Sequence, residues 1–408
     1  MTLVRTLFAA TLALGLIASG CRAQAPRELV VSSDAELGAI AARLLPDLAA
    51  RAGMELRAPV RIERRSRAEL IDYLVFKLDQ ELPVGEATAR VEAYALFGLM
   101  PEDVDLRGLL LELYSEQVAG FYEPDSTALF VLDDQQPEDL EALLLHELVH
   151  AVQDQHVDLK ALTDPDIGND RAAAAMAAIE GQATLVMLEY ATEQMTGASV
   201  DLGQVPDFGA QIRPVLEAMN SQFPALARAP RVIRESLLFP YVEGAGFVQR
   251  LWVDGNRSGP FGDALPTSTE QVMRPRADPP VQVALQVHGG RVVLDDELGR
   301  LELGVLAEDV LGVRGPGGAV GAGGPAEGWD GDRYALIEDA SGSRALVAAF
   351  VWENATARDR FRRAVDAGSG RFGGPVSLES IDVDGRALSV LHVGTTTALV
   401  SISLTDRR

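Results

Sequence analysis

Leu140-Glu141-Ala142-Leu143-Leu144-Leu145-His146-Glu147-Leu148-Val149-His150-Ala151-Val152-Gln153-Asp154 is an apolar run broken at its centre by His146, Glu147 and His150. Pro137 suits a first helical turn, and Glu138, Asp139 and Glu141 complement the positive end of a helix dipole, so a helix is expected from there to about residue 156. On a helix, positions i and i+4 project from one face, so both imidazoles reach a common point with the Glu147 carboxylate beside them. This is the HExxH arrangement that holds zinc and activates water. Buried polar groups need partners: one metal ion serves all three side chains, whereas two core histidines and a stray glutamate would need three separate partners.

Two residues compete for the place of third ligand. His156 follows His150 at the metzincin spacing HExxHxxxxxH, but metzincins place glycine where this chain has Gln153, and that glycine lets the backbone swing the third histidine back. With Gln153 continuing the helix, His156 points away from the metal and serves as a helix-end histidine. Glu180, in Ile179-Glu180-Gly181-Gln182-Ala183-Thr184, is the only ionisable residue between positions 171 and 189, on a second expected helix over 171–195. A lone carboxylate on an apolar helix is costly unless a cation meets it, although an exposed helical glutamate is the plainer alternative. Gly181, a poor helix former, fits close packing against the HExxH helix. Asp154, Gln182 and Thr184 are candidates for polar support behind the ligands. Tyr122, Tyr190 and Tyr241 are possible donors to a developing oxyanion, though a place in the aromatic core accounts for each.

Around this centre, 34–115 shows helical spacing, as in Leu37, Ile40, Ala41, Leu44 and Leu45. Gly120-Phe121-Tyr122-Glu123 and Ala128-Leu129-Phe130-Val131-Leu132 form an expected hairpin about Pro124-Asp125-Ser126, whose edge strand offers backbone hydrogen bonds to an extended peptide. Further helices are expected at 212–220 and 231–253, the latter broken by Pro240, with irregular chain over 266–278. A glycine-rich linker follows over 313–329. The tail, 330–408, predicts strands at 334–337, 345–351, 388–393 and 398–404 about a helix at 354–367, a small ββαββ domain. The fold class is therefore α+β, with the main helical domain over 34–312.

The first residues have the form of a secretory leader: Arg5, an apolar stretch over 6–17 too short to span a membrane, then Ala18-Ser19-Gly20-Cys21. This looks like a bacterial lipobox over 1–21, followed by a linker at 22–33, and predicts lipidation of Cys21 and a membrane-anchored protein of the cell envelope. A cut after Ala25 would leave Pro26 first, which signal peptidases tolerate poorly. Cys21 is the only cysteine, so no internal disulfide supports the fold. Thirty-six basic against 60 acidic residues give a net charge of −24, which excludes a nucleic-acid partner by repulsion of phosphates.

The stretch from His146 to Asp154 is similar to the active helix of thermolysin-like gluzincins. The wider pattern resembles a group of bacterial zinc metallopeptidases, through Glu116-Gln117-Val118-Ala119-Gly120-Phe121-Tyr122, Gln155-His156, Glu180-Gly181-Gln182-Ala183-Thr184, Phe239-Pro240-Tyr241 and Pro266-Thr267-Ser268-Thr269-Glu270-Gln271. The resemblance implies a zincin-like catalytic domain, a Zn2+ cofactor held by His146, His150 and Glu180, water activated by Glu147, and a peptide or protein substrate. That group has a histidine after the Ser-Thr-Glu-Gln segment, where this chain has Arg274-Pro275-Arg276. The rival is an inactive zincin-fold lipoprotein serving as a binding or assembly factor, which has no need of Glu147.

Overall fold

In the computed structural model, which describes residues 29–205, 208–220, 223–274, 277–313 and 324–405, a four-stranded sheet and its helices come first in the chain. The leader with Cys21, residues 314–323 of the glycine-rich segment, and Pro275-Arg276 lie outside the described residues. No described helix is long and apolar enough to cross a membrane.

Strand β1 (Val30–Ser32) leads into helix α1 (Ala35–Ala52), which starts where the Asp34 side chain accepts the Glu36 and Leu37 N–H groups and ends at Gly53 in the left-handed region. After β2 (Val60–Arg65), Ser66 and Glu69 form a reciprocal capping box that opens α2 (Arg67–Glu81). Then come α3 (Val84–Phe97), α4 (Leu106–Gln117), β3 (Gly120–Glu123) and β4 (Ala128–Leu132). The sheet order is β1-β2-β4-β3, with β1, β2 and β4 parallel and β3 antiparallel on the edge. The expected hairpin is present, but the region expected to be helical also contributes β2, and Val30–Ser32, inside the 22–33 linker, is a strand. β2 pairs with β4 in the register Arg61↔Ala128, and a parallel partner so far along the chain leaves no local turn signal.

Helix α5 (Leu140–Gln153) carries the HExxH residues and is shorter than expected at both ends. Pro137 lies in the turn before it. At the other end the His156 N–H bonds to the carbonyl three residues back, Gln153, a tightening that ends the helix before His156. A short α6 (Leu159–Leu162) precedes α7 (Asn169–Thr196), α8 (Phe208–Asn220), α9 (Pro224–Arg228) and α10 (Arg231–Val253). α10 runs unbroken through Pro240, because loss of one N–H is outweighed by burial of Val232, Ile233, Leu237, Tyr241, Val248 and Trp252 against its neighbours. A Cβ on Gly181 would stand 2.3 Å from Gly244 backbone atoms, so Gly181 serves the contact between α7 and α10, not the expected one with α5.

Helix α11 (Thr269–Met273) interrupts the segment expected to be irregular. The rest is β5 (Gln282–His288), β6 (Gly290–Asp296), α12 (Gly299–Asp309), β7 (Trp329–Asp339), β8 (Arg344–Trp352), α13 (Ala355–Gly368), β9 (Val376–Val383), β10 (Arg386–Gly394) and β11 (Leu399–Thr405). An antiparallel sheet of order β6-β7-β8-β10-β9 has α13 on one face, with Phe361 against Phe350 and Trp352. On the other face lies the two-stranded ribbon β5–β11, whose Val283, Leu285, Ile402 and Leu404 cluster with Val351 and Leu388. The tail is thus richer than ββαββ: β9 is added, β6 joins from before the glycine-rich segment, and β11 leaves the sheet to pair with β5.

A buried polar seam binds this sheet to the helices. Arg90 Nη1 on α3 donates to Asp296 Oδ2 at 2.8 Å, Asp296 Oδ1 accepts the Asn169 N–H at the start of α7, and Asp332 accepts the Leu298 and Gly299 N–H groups at the start of α12. The start of α7, the helix that delivers Glu180, is therefore fixed from the sheet side.

Candidate metal centre

His146 and His150 are one turn apart on α5, their rings 4.8 Å apart between centroids and nearly perpendicular. His146 Nε2 lies 3.1 Å from His150 Nε2 and 3.0 Å from Glu180 Oε2, and His150 Nε2 lies 3.6 Å from the same oxygen. An ion about 2.0–2.1 Å from each of three ligands at tetrahedral angles sets those ligands about 3.3 Å apart, so the observed separations bracket the requirement. All three residues are buried, and among the described residues they form a group able to hold a metal ion. His156 is not part of it: its Nε2 sits 2.7 Å from the Glu55 carbonyl, on the exposed side of the helix end.

The electrostatics favour a cation. Burial opposes charge on Glu180, yet His150 and His146 beside it hold its pKa at about 2. Burial likewise opposes charge on His150, yet Glu180 and Glu147 raise it to about 9. Positive charge among these side chains is thus stabilised by the protein itself, and a divalent ion supplies it without protonating a ligand. These donors, two imidazoles and a carboxylate, suit a borderline metal such as zinc.

Glu147 is held from the sheet edge. Its Oε2 accepts the Tyr122 N–H of β3 at 2.9 Å, the strand that packs beside α5. Burial, only partly offset by His150 and His146, raises its pKa above the ordinary value. Tyr122 also donates its hydroxyl to Asp154 Oδ2 at 2.7 Å, so one residue of β3 holds both the second position of the motif and the end of its helix. Of the other tyrosines, Tyr241 on α10 stands 6.3 Å from His146 between ring centroids and bonds to Glu180, whereas Tyr190 meets Arg43 elsewhere.

Among the expected supporting residues, Gln182 lies behind the ligands, Asp154 meets Tyr122, and the buried Thr184 hydroxyl has no hydrogen-bond partner among the described residues. Sequence reasoning missed Gln153, whose Oε1 faces His150 Nδ1 at 2.9 Å. The signal was there: a glutamine three residues after a ligand, on an otherwise apolar helix, is on the ligand's own face. The Ser-Thr-Glu-Gln segment is distant in role. Thr269 donates to Asp170 at the start of α7 and accepts the Leu301 N–H of α12, while Arg274 meets Glu270 and Glu353.

The centre is buried. Beside His150 and Glu180 is a cavity of about 10 Å³ lined by Tyr122, Leu159 and Met176, with room for about one water molecule. A larger hollow of about 950 Å³ lies between α3 and the chain before α4, and none of its lining residues belongs to the metal group.

Comparison of the chain with family models, with curated proteins and with solved structures returns no match. The gluzincin resemblance therefore rests on the quoted motifs alone.

Proposed function

We propose that the chain is a zinc-dependent metallopeptidase of the gluzincin type, with Zn2+ held by His146, His150 and Glu180. The observation that carries this reading is the meeting of three ligand atoms beside a carboxylate, Glu147, that is not a member of the ligand group. A site that only held zinc would have no use for that fourth group.

Zinc, when bound, supplies a Lewis acid that polarises a peptide carbonyl and acidifies water. Tyr122 N–H holds the Glu147 carboxylate in place through Oε2, and that carboxylate takes a proton from the attacking water and returns it to the leaving amine. The raised proton affinity of Glu147 suits both halves of that task. Tyr241 bonds to Glu180 from α10. Lipidation of Cys21 and anchorage at the cell envelope belong to the same proposal and are supported by the leader sequence alone.

The second reading, a zincin-fold binding or assembly factor, is favoured by the small space beside the buried side chains. Zinc content and hydrolysis of an unstructured polypeptide, measured on wild type and Glu147→Gln, separate the two. The peptidase reading expects both to hold zinc and only the wild type to cleave. Equal, background cleavage by two zinc-loaded proteins would establish the binding role instead.

A further inference from the structure

We infer that Gln153 and Gln182 form a two-amide relay that fixes the His150 ring with its Nδ1 protonated and its Nε2 lone pair turned to the metal. The inference rests on the metal-binding half of the proposed function and is independent of peptide cleavage.

The relay is read from backbone carbonyls inward. Gln182 Nε2 donates to Arg257 O at 2.8 Å and to Ala52 O at 3.2 Å. An amide nitrogen carries two protons and accepts none, so both are committed and Gln182 Oε1 must face the other way. There it accepts from Gln153 Nε2 at 3.0 Å, whose second proton goes to Ile179 O, also at 3.0 Å. Gln153 Oε1 is thereby turned to His150 Nδ1, 2.9 Å away. A carbonyl oxygen only accepts, so Nδ1 carries the hydrogen, and in a neutral imidazole this leaves the lone pair on Nε2. Nε2 is the atom that converges with His146 and Glu180.

Neither amide can be reversed cheaply. Turning Gln182 would set its oxygen against two carbonyls, and turning Gln153 would set it against Ile179 O and the Gln182 oxygen. Both side chains are fully buried, so water cannot relieve the mismatch. The far end of the relay is anchored on residue 52 at the end of α1 and residue 257 beyond α10, which places the His150 tautomer under the control of backbone that does not touch the metal. Gln153 and Gln182 are positioning residues, and partners of this kind change metal affinity by roughly 10–100-fold when removed.

The experiment is Zn2+ affinity by chelator competition on wild type, Gln153→Leu, Gln182→Leu and the double variant, with solvent exchange of the imidazole N–H read by NMR on the Co2+-loaded proteins. Gln153→Leu is expected to weaken Zn2+ binding roughly 10–100-fold and to make a slowly exchanging His150 Nδ1–H exchange fast. Gln182→Leu weakens binding less, and the double variant binds no worse than Gln153→Leu, because Gln182 acts only through Gln153. Additive losses, or unchanged affinity and exchange in Gln153→Leu, overturn the relay and leave the metal centre standing. A wild type that takes up neither ion overturns both. In Co2+-loaded wild type alone, coordination through Nδ1 or a fast-exchanging Nδ1–H overturns the relay whether or not a variant folds.

Discussion

Gly181 on α7 and Gly244 on α10 touch backbone to backbone: a Cβ on Gly181 would lie 2.3 Å from the Gly244 carbonyl carbon and oxygen, and one on Gly244 would lie 2.3 Å from Ala177 O. Backbone atoms cannot step aside, so a methyl group there must push the helices apart. Glycine in a helix ordinarily costs about 1 kcal/mol relative to alanine, and here the clash outweighs that gain. Gly181→Ala is expected to lower stability by about 1–3 kcal/mol in urea unfolding and to weaken Zn2+ binding as Glu180 shifts. Gly85→Ala on α3, where an added Cβ meets nothing within 4 Å, is expected to be neutral or stabilising in the same assay. Equal behaviour of the two would mean that the close approach does not constrain the site.

Glu180 and His156 are distinguished by metal retention. Glu180→Ala removes one of three converging ligands and leaves the buried imidazoles without their carboxylate, so zinc is expected to be lost on dialysis. His156→Ala removes only a hydrogen bond to the Glu55 carbonyl on the exposed side, so zinc content should stay at the wild-type level. Retention by both, measured by metal analysis of purified protein, would remove Glu180 from the ligand set.

Much of the site could be read along the chain because each of its helices is punctuated locally. α5 and α7 are long apolar runs bounded by proline, glycine and aspartate, and their few polar residues stand out as a consequence. What pairs across the fold was less legible. β2 alternates only at Val60 and Ile62, and its partner β4 lies far along the chain, so nothing local marks it as a strand. β9, Val376-Ser377-Leu378-Glu379-Ser380-Ile381-Asp382-Val383, alternates only as far as Leu378 and shifts phase at Ile381, because its first half packs one face of the sheet and its second half the other, so the signal for an extra strand was broken. The partner of Gly181 was not legible, since a small residue says that something comes close without saying what. The site of His156 turned on a tightened final turn after Gln153, a feature of backbone hydrogen bonding that composition does not carry.

Tyr122 closes the centre with a side chain as well as a backbone. Its hydroxyl bond to Asp154 Oδ2 ties β3 to the end of α5, and Leu159 and Met176 line the small cavity with it. The Lys160–Asp125 ion pair adds a surface tie between α6 and the hairpin turn, where charge pairs are weak. Tyr122→Phe keeps the ring and the N–H to Glu147 but removes this half-buried bond, a loss of about 1 kcal/mol. Extraction of bound Zn2+ by a chelator is therefore expected to speed up roughly 5-fold, with equilibrium affinity little changed. An unchanged extraction rate would show that the ion leaves by another route.

Glu270, which is not a member of the candidate metal group, supplies a pH signature of its own. Burial pushes its carboxyl up to about 7 from an ordinary 4.5, against the pull of Arg274, whose Nη1 donates to it at 2.8 Å, and of Arg300, while Glu353 adds to the rise. The folded protein therefore keeps this proton to about neutrality, while the unfolded chain releases it near 4.5. Its stabilising contribution is complete below the unfolded value and is lost as pH rises through the folded one, on the order of 2–3 kcal/mol in all. Glu270→Gln mimics the protonated acid and loses nothing on the way up. The stability of the variant minus that of the wild type, from unfolding at about pH 5 and about pH 8, is expected to grow by about that amount, even if the lost pairing with Arg274 makes the variant the weaker protein at the lower pH. A pH-independent difference would mean that Glu270 titrates as an ordinary surface acid and that Arg274 and Arg300 fully offset its burial.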